Sequence, residues 1–237
     1  MAERPYTVLS CAISADGCLD DATASRLILS GPHDLDEVDA LRAGCDAILA
    51  GAGTLRVDDP RLLVRSPARV AARQAAGRPP HPLRVTLTTA GDLDPRARFF
   101  SRVGPRPLVY CASPAVPAAT QRLGAVAEVI GAGDPPSLAA VLTDLSTKRM
   151  VASVLVEGGS RILRDALAGD LADELRLAVA PFFIGDPGAP RFGLPASYPH
   201  GPRRPMRLQS ARQVGTVAVL TWRLTARPRP AALPSPG

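Results

Sequence analysis

The chain has 237 residues, 46% hydrophobic and 21% charged, with a formal net charge of +6, a composition that excludes a disordered polar chain and allows one well-buried core. Its longest apolar runs, 46–52 and 177–184, are too short for the roughly 20 residues of a membrane helix; no secretory leader pattern opens it, so a cytoplasmic location and no membrane partner are expected. Aromatics at 4% and dispersed arginines give no stacking surface for nucleic acid, whereas the positive charge suits phosphorylated small molecules. Cys11, Cys18, Cys45 and Cys111 are irregularly spaced with no C-x-x-C pair, so neither a disulfide framework nor a bound metal is expected.

Taken in chain order, YTVLSCAIS (6–14) is β-branched and apolar and runs into the turn signal A-D-G, as a buried strand does. Asp34 followed by Glu37 has the spacing of a capping box, and Leu35, Val38 and Leu41 recur at helical spacing, which predicts a helix ending near Gly44. DAILAG (46–51) is a short buried strand, and Gly51 and Gly53 pass it into a loop carrying Thr54, Asp58, Asp59 and Pro60. Residues 66–82, rich in Pro, Arg and Ala, are expected to be a solvent-exposed connection. Strands follow at 83–89, 107–111 and 125–130, with a weak helix from Pro114 to Leu123. Leu138, Val141, Leu142 and Leu145 share one face of a helix from Leu138 to Lys148.

SVLVEGG (153–159) is the best strand-into-helix junction, opening the helix RILRDALA (161–168). Alternating strands and helices with short loops predict a mainly parallel α/β sheet flanked by helices. No helix separates the strands 175–185 and 206–224, and Gly215 reads as a hairpin turn, so the C-terminal strands are expected to be antiparallel. One domain is expected over 1–226, with a disordered Pro-rich tail over 227–237.

Two constellations can carry chemistry. Gly158-Gly159 leading into a helix lets the backbone approach a phosphate, and the helix start offers free N–H groups and partial positive charge; a tight turn with close helix packing explains the same residues. Glu157 stands at the mouth of a parallel strand, where ligands of open α/β sheets sit. Residues 46–65 bring a hydroxyl, two carboxylates and Arg65 to one loop, which suits a polar phosphorylated ligand, although an ordinary capped turn has the same composition.

In family order and spacing, S-A-D-G (14–17), L-R-A-G-C-D-A-I-L-A-G-A-G-T (41–54), D-D-P-R-L-L-V-R (58–65), V-E-G-G (156–159) and D-E-L-x-L-x-V-A-P (173–181) resemble the riboflavin-biosynthesis pyrimidine reductase family. The resemblance covers about residues 6–224. It implies a dihydrofolate-reductase-like fold, a homodimer, and NADPH-dependent reduction of 5-amino-6-(phosphoribosylamino)uracil to its ribitylamino form, with hydride passing to C1′ of the ribose. Carried over by motif, Thr54 and Asp58 would contact the cofactor, and Gly158, Gly159, Ser160, Arg161, Ile162, Leu163 and Arg164 would cradle its phosphates. Ala12 and Thr89 would be further cofactor neighbours. Ser25, Arg42, Leu62, Arg65 and Glu157 would contact the substrate.

On that resemblance, Arg42 and Arg65 would clamp the 5′-phosphate and Glu157 would accept from the uracil or its amino group. Asp58 and Glu157 are the catalytic candidates. Asp58 would handle the proton delivered as the ribose ring opens, the alternative being a carboxylate that fixes its loop through backbone N–H groups. Family members commonly carry an aromatic residue where Leu27 stands, and the loop at Gly31-Pro32 is one residue longer here. Neither the H-x-E nor the P-C-x-x-C signature of a zinc deaminase occurs, which implies a stand-alone reductase. A reductase of the same fold acting on a pterin or a secondary-metabolite intermediate is the alternative within enzymes, and a catalytically silent nucleotide-binding protein the alternative outside them.

Overall fold

The computed structural model describes residues 4–23 and 27–235; Ser25, expected to contact substrate, lies outside them. The described elements are β1 (Tyr6–Ile13), α1 (Pro32–Gly44), β2 (Ala47–Gly51), α2 (Ala52–Asp58), α3 (Pro67–Ala75), β3 (Leu83–Leu87), β4 (Leu108–Cys111), α4 (Val116–Leu123), β5 (Glu128–Gly131), α5 (Leu138–Thr147), β6 (Ser153–Val156), α6 (Ser160–Ala168), β7 (Glu174–Val179), β8 (Arg207–Val214) and β9 (Val217–Arg223). Among the described residues the strands form one nine-stranded sheet in the order β5-β4-β3-β2-β6-β1-β7-β9-β8. Every pairing from β5 to β7 is parallel, and β9 joins β7 and β8 antiparallel. This is the expected mainly parallel sheet with an antiparallel C-terminal end, and Gly215, at φ +59°, makes the expected hairpin turn.

Strands buried on both faces explain why their sequences read as continuous apolar runs. Successive residues of β2 alternate: Ala47 and Leu49 join a core with Leu138, Val141, Leu142 and Leu145 of α5 and Ile162, Leu163 and Ala166 of α6. Ile48 and Ala50 join a second core with Leu41 of α1, Leu55 of α2, Leu123 of α4, and Phe99 and Phe100. The sheet is therefore the middle of three layers. Because β6 is inserted between β2 and β1, the chain winds in both directions from this point, and the strand ends at such a switch point are where open α/β sheets bind ligands.

Several expected elements are corrected. The residues after β2 are not a loop but the short helix α2, so Thr54 and Asp58 ride on a helix. Residues 67–75 within the expected connection form α3, capped by Ser66, whose hydroxyl accepts from Arg69 N. Asp34 does not cap α1. The N-cap is Gly31, with no side-chain cap, while the Asp34 carboxylate is drawn inward to Arg176 at 2.5 Å and Glu37 binds Arg176 and Arg212. A buried cation outcompetes the local backbone for these carboxylates. Residues 227–235, read from composition as a disordered tail, make specific contacts. Arg229 holds Glu174 at 2.7 Å, Arg227 holds Asp173 at 3.1 Å, and Leu233 is buried in the second core.

Candidate active site

Parallel register brings the C-terminal ends of β1, β2, β3 and β6 to one edge of the sheet. β2 and β6 continue side by side past their last ladder residues: Glu157 N donates to Leu49 O at 3.0 Å, and Gly51 N donates to Gly158 O at 3.2 Å. Both chains then turn into helices, α2 and α6. The second turn needs glycine, since Gly158 has φ +132° and Gly159 φ +86°, where an L side chain is strained.

Gly159 is the N-cap of α6 and supplies no side-chain cap, so the first-turn N–H groups of Ser160, Arg161 and Ile162 face outward unmet by a side chain. Thr54, on α2, stands across from it: a Cβ on Gly159 would lie 3.5 Å from the Thr54 hydroxyl. A Cβ on Gly51 would meet Ile162 at 3.1 Å, whereas Gly53 and Gly158 border open space. Two helix starts thus share one glycine-lined notch. It fits a dinucleotide pyrophosphate through backbone N–H groups and the Thr54 hydroxyl. Ile162 and Leu163 differ from the expected direct contacts in one respect, because both side chains are in the core. Leu163 also spends its N–H on Gly159 O at 3.1 Å, so it supports the notch from beneath.

Beside the notch stands Glu157. Arg42, in the last turn of α1, grips it bidentately, Nε to Oε1 at 2.6 Å and Nη2 to Oε2 at 2.5 Å, and also donates to Leu63 O at 3.2 Å. The pair is 16% and 11% exposed. Burial would lower the Arg42 pKa, but Glu157 outweighs it and holds the guanidinium firmly charged. The expectation of Arg42 as a phosphate clamp is thereby modified: its fork is committed to Glu157, and its role is to aim that carboxylate. Arg65 is different. Its side chain is 52% exposed, 3.6 Å from Asp39, and donates to Leu35 O, leaving guanidinium N–H groups directed to solvent.

Asp39, which the sequence reading passed over, organises this segment. Fully buried on α1, it accepts from Arg65 N at 2.6 Å and Ser66 N at 3.1 Å and pairs with Arg69 at 3.0 Å. Burial raises its pKa, yet those two N–H groups and Arg69 win and hold it below the ordinary carboxylate range. The available signal was an acidic residue at i+4 from Leu35, on the apolar face of the helix. Leu62 has φ +51° and is buried, so it shapes the segment and presents backbone. Asp58 is half-buried at the end of α2; Asp59 follows as a left-handed cap whose carboxylate accepts from Arg98 N at 2.7 Å. Ala12 lies near the end of β1, half-buried, and Thr89 is exposed just beyond β3. A cavity of about 190 Å³ between α1, β7, β9 and residues 234–235 is walled by paired Glu37, Glu174, Arg176, Arg212 and Arg229, and none of the expected site residues lines it.

The RibD C-terminal domain family model matches residues 5–220. A 2,5-diamino-6-ribosylamino-4(3H)-pyrimidinone 5′-phosphate reductase from Archaeoglobus fulgidus is 34% identical over 187 residues, covering 79% of this chain and 85% of that protein. A pyrimidine reductase-like protein from Corynebacterium diphtheriae superposes with a TM-score of 0.80 at 23% identity, covering 94% of this chain and 93% of that one. Dihydrofolate reductase from Enterococcus faecalis shares the fold at a TM-score of 0.50 and 12% identity, covering 92% and 95%. The fold is dihydrofolate-reductase-like.

Proposed function

The chain belongs to the RibD C-terminal domain family, and from that membership we propose that it is an NADPH-dependent reductase of a phosphoribosylaminopyrimidine, converting 5-amino-6-(5-phosphoribosylamino)uracil to its ribitylamino form. The observation that carries this reading is the juxtaposition of a glycine notch at two helix starts with Glu157, aimed by Arg42 at 2.5–2.6 Å. The notch takes the dinucleotide, and Glu157 accepts from the pyrimidine ring or its amino group. Leu62 shapes the pyrimidine side through its backbone, and the family resemblance adds Ser25 as a substrate contact. Ala12 and Thr89 flank the cofactor on either side of the notch.

NADPH, when bound, supplies the hydride that reaches C1′ of the ribose. The chain's own work is orientation and proton handling. Arg65 meets the 5′-phosphate with charge-assisted hydrogen bonds from its half-exposed guanidinium. Asp58, on α2 beside Thr54, delivers the proton to the ring oxygen as the ribose opens. Holding the reacting carbons near contact is worth several orders of magnitude in rate without any covalent step. The exposed edge strand β8 suits a homodimer, for which light scattering would give twice the chain mass.

The diamino pyrimidinone, the compound in the name of the Archaeoglobus fulgidus relative, is the second reading of the substrate, since the reacting ribosylamine is the same. The test is NADPH oxidation with the deaminated and non-deaminated pyrimidines side by side. Turnover of either supports the reductase, and the ratio of kcat/KM assigns the substrate. Arg65→Ala should raise KM for the preferred compound by about 30-fold, the worth of one charge-assisted contact of about 2 kcal/mol. An unchanged KM would remove the phosphate from this reading.

A further inference from the structure

S-A-D-G at 14–17 is a matched motif to which no role at the site has been assigned, and its half-buried Asp16 carboxylate is bonded to two loops at the site's edge of the sheet. Asp16 sits in the turn after β1. Its Oδ1 accepts from the Ser14 hydroxyl at 2.5 Å and from Ile184 N at 3.1 Å, and its Oδ2 accepts from Gly185 N at 2.8 Å. Its carbonyl accepts from Arg191. Those hydrogen bonds, Ser14 foremost, hold the carboxyl well below the usual carboxylate range.

Around this centre the loop leaving β1 and the loop leaving β7 are zipped together. Ala15 N donates to Phe182 O at 2.8 Å, Leu19 N to Pro190 O at 2.7 Å and Phe192 N to Gly17 O at 3.0 Å. Gly17, at φ +86°, makes the turn. The clasp begins immediately beyond Ala12 and Ile13, whose partners in β7 are Ala178 and Val179. It therefore stands at the C-terminal ends of β1 and β7, on the far side of β1 from the glycine notch. To these three backbone bonds the Asp16 carboxylate adds two more, from the N–H groups of Ile184 and Gly185, and it is the side chain that ties the turn after β1 to the loop after β7.

We propose that Asp16 is a positioning residue which locks the loops after β1 and β7 into a rigid wall against which the pyrimidine seats. The proposal rests on the reductase reading above. Asp16→Asn keeps the size of the side chain but turns one acceptor into a donor facing the N–H of Ile184 or Gly185, so the clasp opens. Ser14→Ala is the milder variant, removing the hydroxyl that bonds Asp16 and accepts from Cys18 N at 3.0 Å.

Three measurements on the full chain test it: steady-state kinetics with NADPH and the better pyrimidine, amide hydrogen exchange over 14–19 and 181–192, and thermal melting. In Asp16→Asn, KM for the pyrimidine should rise about 10-fold with kcat within about threefold, because the wall orients substrate and touches no reacting atom. Exchange in both loops should quicken while the melting temperature stays put, and Ser14→Ala should move the same readouts less far. A KM equal to wild type, exchange equal to wild type, or a fall in melting temperature that accounts for the lost activity would each overturn the proposal. Failure of the wild-type chain to oxidise NADPH with either pyrimidine would instead overturn the reductase reading, and this proposal with it.

Discussion

Both oxygens of Glu157 are engaged by Arg42, so the carboxylate reaches the sheet edge already oriented, with its remaining lone pairs left to accept from a ligand. Glu157→Gln preserves the shape and removes the charge. Arg42, 16% exposed, would then keep only the more distant Asp39 as a counter-charge, costing about 1–3 kcal/mol of stability, and kcat/KM should fall about 100-fold. Pairing it with Arg42→Met separates the two effects. The double variant should regain stability and remain inactive, as thermal melts and initial rates would show; regained activity would make the pair purely structural. At this scale Glu157 and Arg65 were legible in the sequence as polar residues at a strand end and a loop end, whereas Arg42 came only with the family resemblance. The partnership of Arg42 with Glu157 was not legible. Arg42 and Glu157 are 115 positions apart, and only the insertion of β6 beside β2 brings them together, while Arg65 keeps a half-exposed guanidinium.

At the scale of elements, strands were easier to read than helices because six of them, β1 to β4, β6 and β7, are buried on both faces or nearly so, which writes the fold into continuous apolar runs. α5 was equally plain, its four expected core residues all buried. α3 escaped because its inward residue is not apolar. Arg73 is buried and donates to the carbonyls of Ala43 at 2.7 Å, Cys45 at 2.8 Å and Pro79 at 2.9 Å. It thereby finishes the C-terminus of α1, where helical carbonyls lack intrahelical partners. A periodicity argument based on hydrophobicity cannot see a helix anchored by an arginine. Arg73→Ala leaves the Cys45 carbonyl buried and unmet and the Ala43 carbonyl with only the longer bond from Arg78, at a cost of about 2–3 kcal/mol. For a chain of this size that is a drop of about 5–10 °C in melting temperature, measurable by circular dichroism, whereas a change under about 1 °C would mean that water satisfies the carbonyls instead. α2 escaped for a simpler reason: seven residues that begin Ala-Gly-Thr give too short a window for any helical period.

Across the whole molecule, arginine is the common partner. Asp39 is buried and Glu37, Asp144 and Asp170 are partly so, which alone would raise their pKa values, yet each is held below the ordinary range by hydrogen bonds and charge from Arg, Lys, Tyr, His or backbone N–H groups. Groups depressed in the fold contribute stability that is fully present above their unfolded values, about 3.9–4.3, and lost as pH falls through the folded ones. His81 adds a weaker step of the same sign. Burial first, then Arg84 and Arg73, depress it, so the fold favours its neutral form, and stability declines as pH drops below about 6.5. The chain already carries +6 at pH 7, and each carboxylate protonated on acidification adds to self-repulsion. The melting temperature should therefore be level from about pH 7 to 8, sag slightly near pH 6 and fall steeply below about pH 4. His81→Gln should erase the shallow sag and leave the steep fall intact. A melting temperature that held constant down to about pH 3 would mean that these pairs contribute little and that the two apolar cores alone carry the fold.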